Sequence, residues 1–165
     1  MNNTSTHEML LSEYKSFSDN LTEHNRKTLM ESGNGMNPKL PEMESFGNLI
    51  EEMKALAWKV IDNTQDNSLR ECLKHILADY TFYIGTMRWL LEDLIEMKAY
   101  SFVVGEPVDK QVRKSYFRED LGKVYSRELP NLYLFEKKRI MLIIFLDENG
   151  CYKDCIYTER DKNNG

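Results

Sequence analysis

Long hydrophobic runs are missing from this 165-residue chain, and so is cysteine in the numbers a disulfide scaffold needs. No stretch approaches the roughly 18 apolar residues of a membrane span, so a spanning helix is not expected. Three cysteines, an odd number, suit free thiols in a reducing compartment. The opening decapeptide MNNTSTHEML has neither a basic start nor an apolar signal core, so the chain is expected to be intracellular and cytoplasmic. With only 4 prolines and 8 glycines, breaks are few and each one is informative. Glycine-rich phosphate loops, nucleophile elbows and dinucleotide fingerprints are all absent. These gaps exclude the commoner enzyme classes and leave a chain with the hydrophobic and charged shares of an ordinary globular domain.

What is present is helix pattern. Between residues 69 and 97 apolar side chains fall at Leu69, Leu73, Ile76, Tyr80, Tyr83, Met87, Leu90, Leu94 and Met97. Steps of four and three held over four heptads predict one long amphipathic helix, 68–99, with a packing seam. Leu77, Ile84 and Leu91 widen that stripe, so the middle should be the core helix. A continuous helix of that length outreaches its expected neighbour, 42–61, so the surplus seam needs the N-terminal helix, the sheet or another subunit, and self-association is one expectation. Helix 42–61 opens after Pro41 and carries Phe46, Leu49, Ile50, Met53, Ala57, Val60 and Ile61 on one face. The polar connection 62–67 should reverse the chain into an antiparallel helical hairpin, with Asn67 or Ser68 as the next cap.

Ahead of these lies a helix expected from Thr6 to about Met30, whose narrow stripe is Leu10, Tyr14, Phe17 and Leu21. Marginal alone, such a helix suits docking on a partner or on the core, and the stripe is the expected partner-binding surface. Residues 32–38, Ser-Gly-Asn-Gly-Met-Asn-Pro, are the clearest break. The expected organisation is therefore a docking segment 1–38, one globular α+β domain 39–160 and a polar tail 161–165.

Beyond Tyr100 the pattern changes. Residues 101–104 suggest a short strand, and 108–121 a basic amphipathic helix stopped by Gly122. Residues 139–146, RIMLIIFL, give the strongest strand signal and are apolar on both alternating faces, as a central strand would be. Asn149 and Gly150 then predict a hairpin, with 151–158 returning and 132–135 adding a third strand. The fold class is α+β: mainly helical, with a small C-terminal antiparallel sheet.

Four features could carry chemistry. Arg70 and His75 form Arg-x4-His at the start of the central helix. That spacing resembles the pattern of HEPN-type ribonucleases, whose arginine and histidine cooperate in cleaving RNA across a helical dimer. The resemblance implies a dimeric, metal-independent ribonuclease in which Arg70 stabilises phosphate charge and His75 moves protons. It covers two residues; Glu71 stands where that family usually places Asn, Asp or His, and a C-terminal sheet is foreign to the plain helical version. The structural alternative puts Arg70 in a surface ion pair and His75 on a helix flank. Cys151 and Cys155 lie about 13 Å apart along an extended strand, too far for one zinc ion, so they are read as thiols and no metal site is expected. Glu92, Asp93 and Glu96 read as the solvated edge of a helix. Gly85, inside that helix, would allow a neighbour to approach closely or is simply tolerated there.

The fourth feature is charge. The net charge of −5 hides nine basic against five acidic side chains between 108 and 139, a local +4 on a remainder of −9. Lys110, Arg113, Lys114 and Arg118 would line one side of the 108–121 helix and are the candidate polyanion-binding residues. Against nucleic acid stands the acidic whole, with a pI near 5.3. The sequence therefore supports a non-enzymatic protein-interaction module, regulatory, inhibitory or scaffolding, that needs no cofactor and pairs with another protein or a second copy of itself. A ribonuclease and a nucleic-acid binder are the alternatives, and no membrane partner is expected.

Overall fold

The computed structural model describes residues 3–31, 40–108, 132–137 and 140–159. In chain order these form helices α1 (Asn3–Glu31), α2 (Leu40–Asn63), α3 (Asn67–Tyr80) and α4 (Ile84–Glu96), a single 3-10 turn at Ala99–Ser101, and strands β1 (Leu132–Lys137), β2 (Ile140–Leu146) and β3 (Tyr152–Glu159). The fold is thus mainly helical α+β with a small antiparallel sheet at its C-terminal end, as expected from the pattern. The 108–121 helix and its basic side chains Lys110, Arg113, Lys114 and Arg118 lie outside the described residues, apart from Val108.

One expectation fails on length. A continuous helix from 67 to 100 would span about 50 Å, yet the Gln65 amide donates to the Tyr100 carbonyl at 3.0 Å. The chain must double back, and it does so at Thr81, Phe82 and Tyr83, between α3 and α4. Thr81 turns its hydroxyl onto the Leu77 carbonyl, and the Tyr83 amide donates to the Tyr80 carbonyl at 3.0 Å, closing a tight turn. The predicted long helix is therefore itself a hairpin. Its seam persists because both arms turn it inward: Leu73, Ile76 and Leu77 of α3 and Met87, Leu90, Leu91 and Leu94 of α4 line one void with Ala57, Val60 and Ile61 of α2. That void is about 10 Å³, at the lower limit for a water, and its apolar lining gives a water nothing to bond.

The directions of the helices follow from their polar contacts. Glu13 pairs with Lys59, Asn20 with Glu52 and His24 with Ser45, so α1 runs antiparallel to α2. His7 meets Tyr100 and Tyr14 meets Glu92, so α1 is antiparallel to α4 as well. The four helices alternate up and down. Gln65, Tyr100 and the start of α1 share one end, while the α3–α4 turn and the end of α1 share the other.

This arrangement corrects the second expectation. Leu10, Phe17 and Leu21 are 0%, 2% and 3% exposed, and Tyr14 is half-buried with its hydroxyl on Glu92. The stripe meant for a partner is filled by the chain's own α2 and α4, so α1 belongs to the same core as the rest. The seam is likewise closed within one chain: every seam residue except Tyr83 is buried, and no subunit is needed to cover it.

The sheet order is β1-β2-β3, with β2 central as its two-sided apolar pattern predicts. Ile140, Leu142, Ile144 and Leu146 face the helices, together with Tyr133 and Phe135 of β1. Met141, Ile143 and Phe145 gather with Leu134 on the opposite face. The β2–β3 loop is longer than the two-residue turn that Asn149-Gly150 suggested. Asp147 organises it, its Oδ1 accepting from the amides of Asn149 (2.9 Å) and Cys151 (3.0 Å), while Gly150 supplies a φ of +82°. Residues 101–104 form no strand; instead the following loop lies along the hairpin, with Gly105 donating to the Tyr152 carbonyl and Pro107 bridging Cys151.

β3 carries a bulge. Phe145 pairs with Asp154 but Leu146 with Tyr152, leaving Lys153 without a partner. The extra residue resets which side chains point inward, so Tyr152 and Cys155, three apart, both face the helices.

Candidate functional site

The residues that sequence spacing groups together are separated by the fold. Five positions along a helix place Arg70 and His75 about 140° apart. The Arg70 guanidinium donates through Nε and Nη2 to the Thr64 carbonyl, at 3.1 and 2.6 Å, joining the first turn of α3 to the end of α2. That replaces the expected surface ion pair. His75 is exposed and stacks on Tyr157 of β3, with ring centroids 6.2 Å apart and planes 8° from parallel. Neither contact aims an arginine and a histidine at one phosphate.

The carboxylates of α4 are not a solvated edge. Glu92 accepts the Tyr14 hydroxyl, and Asp93, 5% exposed, accepts the Tyr133 hydroxyl at 2.6 Å. Only Glu96 of the three is exposed. Gly85 makes no close contact, since a methyl group there would meet open space.

A different constellation emerges, built on α3 and β3. Asp66 caps α3 by accepting from the Leu69 amide at 2.9 Å, which places the cap one residue ahead of the expected Asn67. The same Oδ2 accepts the Tyr152 hydroxyl at 2.8 Å. Thirteen residues further along α3, Asp79 accepts the Tyr157 hydroxyl at 3.0 Å. Between these two latches Cys72 of α3 meets Cys155 of β3, with sulfurs 3.7 Å apart. Tyrosine hydroxyls donating to carboxylates thus join β3 to α3 twice, β1 to α4 and α1 to α4. In each case the phenol holds its proton more tightly than usual where a shift is resolved. Burial first, then the hydrogen-bonded carboxylate, pushes Tyr14 and Tyr157 up; Tyr152 rises through burial, the Cys155 thiol and Asp66. Burial alone raises Tyr100 to about 12, and its neighbour His7, 2.6 Å away, is lowered by burial and by Lys98.

Sequence spacing paired Cys151 with Cys155; the bulge instead turns Cys155 onto Cys72, 83 residues away. Among the described residues no group of three or more His, Cys, Asp or Glu is placed to hold one metal ion. No helix of the described residues is long and apolar enough to cross a membrane.

Several large apolar side chains of the described residues lie exposed, Val104 at 61% and Trp58 at 43% among them. At the α3–α4 turn Phe82 is 79% exposed and Tyr83 44% exposed, and Leu29, near the end of α1 and at the same end of the bundle, is 71% exposed. Comparison of the chain with family models, with curated proteins and with solved structures found no match to any of them.

Proposed function

We propose that this chain is a non-enzymatic protein-interaction module, a regulatory, inhibitory or scaffold subunit of the cytoplasm that meets its partner with the tip of the helical bundle. The observation that carries this reading is Phe82, four-fifths exposed at the α3–α4 turn. Tyr83 beside it and Leu29 at the same end supply further apolar surface, and aromatic side chains of this kind dominate protein interfaces. The engagement of Arg70 with Thr64 and of His75 with Tyr157 favours this reading over the ribonuclease alternative.

The test is a photo-crosslinking amino acid placed at position 82, with position 148 in the exposed β-hairpin loop at the other end as control. A discrete protein adduct at 82 and none at 148 is the expected result; adducts of equal yield at both would end the proposal. Phe82→Ser should abolish the association while moving stability by no more than about 0.5 kcal/mol, because the side chain is outside the core. RNA cleavage by the purified chain that disappears in His75→Ala, with folding intact, would establish the enzyme instead.

A further inference from the structure

We propose that Cys72 and Cys155 form an oxidation site, a thiol pair that a peroxide converts into a disulfide tying α3 to β3. The two sulfurs already touch at 3.7 Å, although 83 residues separate them in sequence. Their approach is held on both sides: Tyr152 is latched to Asp66 before the pair and Tyr157 to Asp79 after it. A disulfide bond of about 2.05 Å would close the remaining gap between them.

The two thiols differ in the way such a reaction needs. Cys72 is half-buried and open to a small oxidant, whereas Cys155 is only 6% exposed. The contact between the two sulfurs holds Cys72 below the usual thiol range and Cys155 above it. Cys72 is therefore the sulfur that attacks, and Cys155 the one that resolves. Cys151 competes poorly: its thiol is pushed up by burial and by Asp147 and Glu106, and it precedes the bulge that turns Cys155 inward.

The chemistry balances with hydrogen peroxide as oxidant. The Cys72 thiolate attacks one peroxide oxygen, the O–O bond breaks, and a sulfenic acid forms as hydroxide departs and takes up a proton as water. The Cys155 sulfur then attacks the Cys72 sulfur, the S–O bond breaks, and the leaving hydroxyl carries away the Cys155 proton as a second water. Two thiols and one peroxide give one disulfide and two waters, the sulfurs losing the two electrons that the peroxide gains. A reducing cytoplasm would keep the pair open at rest and let a thiol reductant reset it.

The experiment treats the reduced, full-length chain with one equivalent of hydrogen peroxide and follows intact mass, peptide map and melting temperature. Lys153 lies between Cys151 and Cys155, so trypsin places each of the three cysteines on its own peptide. The expected product has lost two hydrogens, links the Cys72 and Cys155 peptides, melts about 10 °C higher because a long loop is closed, and reverts with dithiothreitol. Cys151→Ala should behave identically, and Cys72→Ser should lose both the linkage and the shift. A linkage that includes Cys151, a disulfide between two chains, or sulfinic acid accumulating at Cys72 without a linkage would each overturn the proposal. Should Cys72→Ser fail to fold, the peptide map of the unmutated chain decides alone.

Discussion

Phe17→Ala should lower the free energy of unfolding by about 3–5 kcal/mol, the range for removing a buried aromatic ring and leaving its cavity. For a chain of this size that is a fall in melting temperature of about 10–15 °C. Phe17 is 2% exposed on α1 and sits in the same apolar cluster as Met53, Leu90 and Leu94. Leu11, on the outer side of the same helix and 40% exposed, provides the contrast: Leu11→Ser should change stability by no more than about 0.5 kcal/mol. Urea unfolding followed by circular dichroism measures both. If α1 were a detachable arm for another protein, Phe17→Ala would leave the transition in place and abolish only an association. A full-sized loss of stability shows instead that α1 is a wall of the core. On the same argument a chain lacking residues 1–38 exposes the faces of α2 and α4 that α1 covers, and it should lose cooperative unfolding rather than become a smaller stable domain.

The second large effect comes with alkali. Tyr14, Tyr100, Tyr152 and Tyr157 all hold their protons above the ordinary phenol value of 10, Tyr100 up to about 12. Between pH 10 and those raised values the unfolded chain releases phenolic protons that the folded chain keeps. The unfolded state then binds fewer protons, so stability falls as pH rises, and below pH 10 these groups contribute no slope. A fully buried tyrosine so held contributes about 1.4 kcal/mol of lost stability per pH unit, and the more exposed Tyr14 and Tyr157 contribute less. Tyr152, 1% exposed with its hydroxyl on Asp66, and Tyr100, 4% exposed, are the two whose burial makes that figure apply most directly. The fold should therefore collapse steeply above pH 10, with phenolate absorbance near 295 nm and loss of helical ellipticity appearing together. Tyr152→Phe should make the decline shallower by one tyrosine's share. Phenols that ionise near pH 10 while the helices persist would contradict this account.

A local pattern is legible in this sequence, whereas a pattern with two geometric solutions is not. Helix α2, the strand β2 and the stripe on α1 were all legible, because periods of 3.6 and 2 report directly which side chains share a face. The turn at residues 81–83 was hidden because Tyr80, Tyr83 and Met87 keep the three-four spacing straight through it. Two signals there were available: Thr81 is β-branched, and Phe82 is apolar on the wrong side of the stripe. The stripe of Leu10, Phe17 and Leu21 is legible but its occupant is not, since periodicity says that a face is covered and not by whom. Asp93 looked like solvent-facing charge because its partner, Tyr133, arrives from a strand 40 residues away. The thiol pair depended on a bulge, and no period in the sequence announces one.

That bulge also sets how the sheet can change length over generations. Removing one residue from a strand normally exchanges its two faces from that point on, sending core side chains to water. Lys153 is the exception, because it alone in β3 has no partner on β2. Its loss would leave Leu146 opposite Tyr152 and Phe145 opposite Asp154, the pairs that exist already, in a ladder now free of interruption. Loss of Ile156, three residues on, would turn Tyr157 away from Asp79 and His75 and unpick the edge of the fold. Position 153 is thus where this strand can shorten and still fold, while the residues after it are open to substitution only.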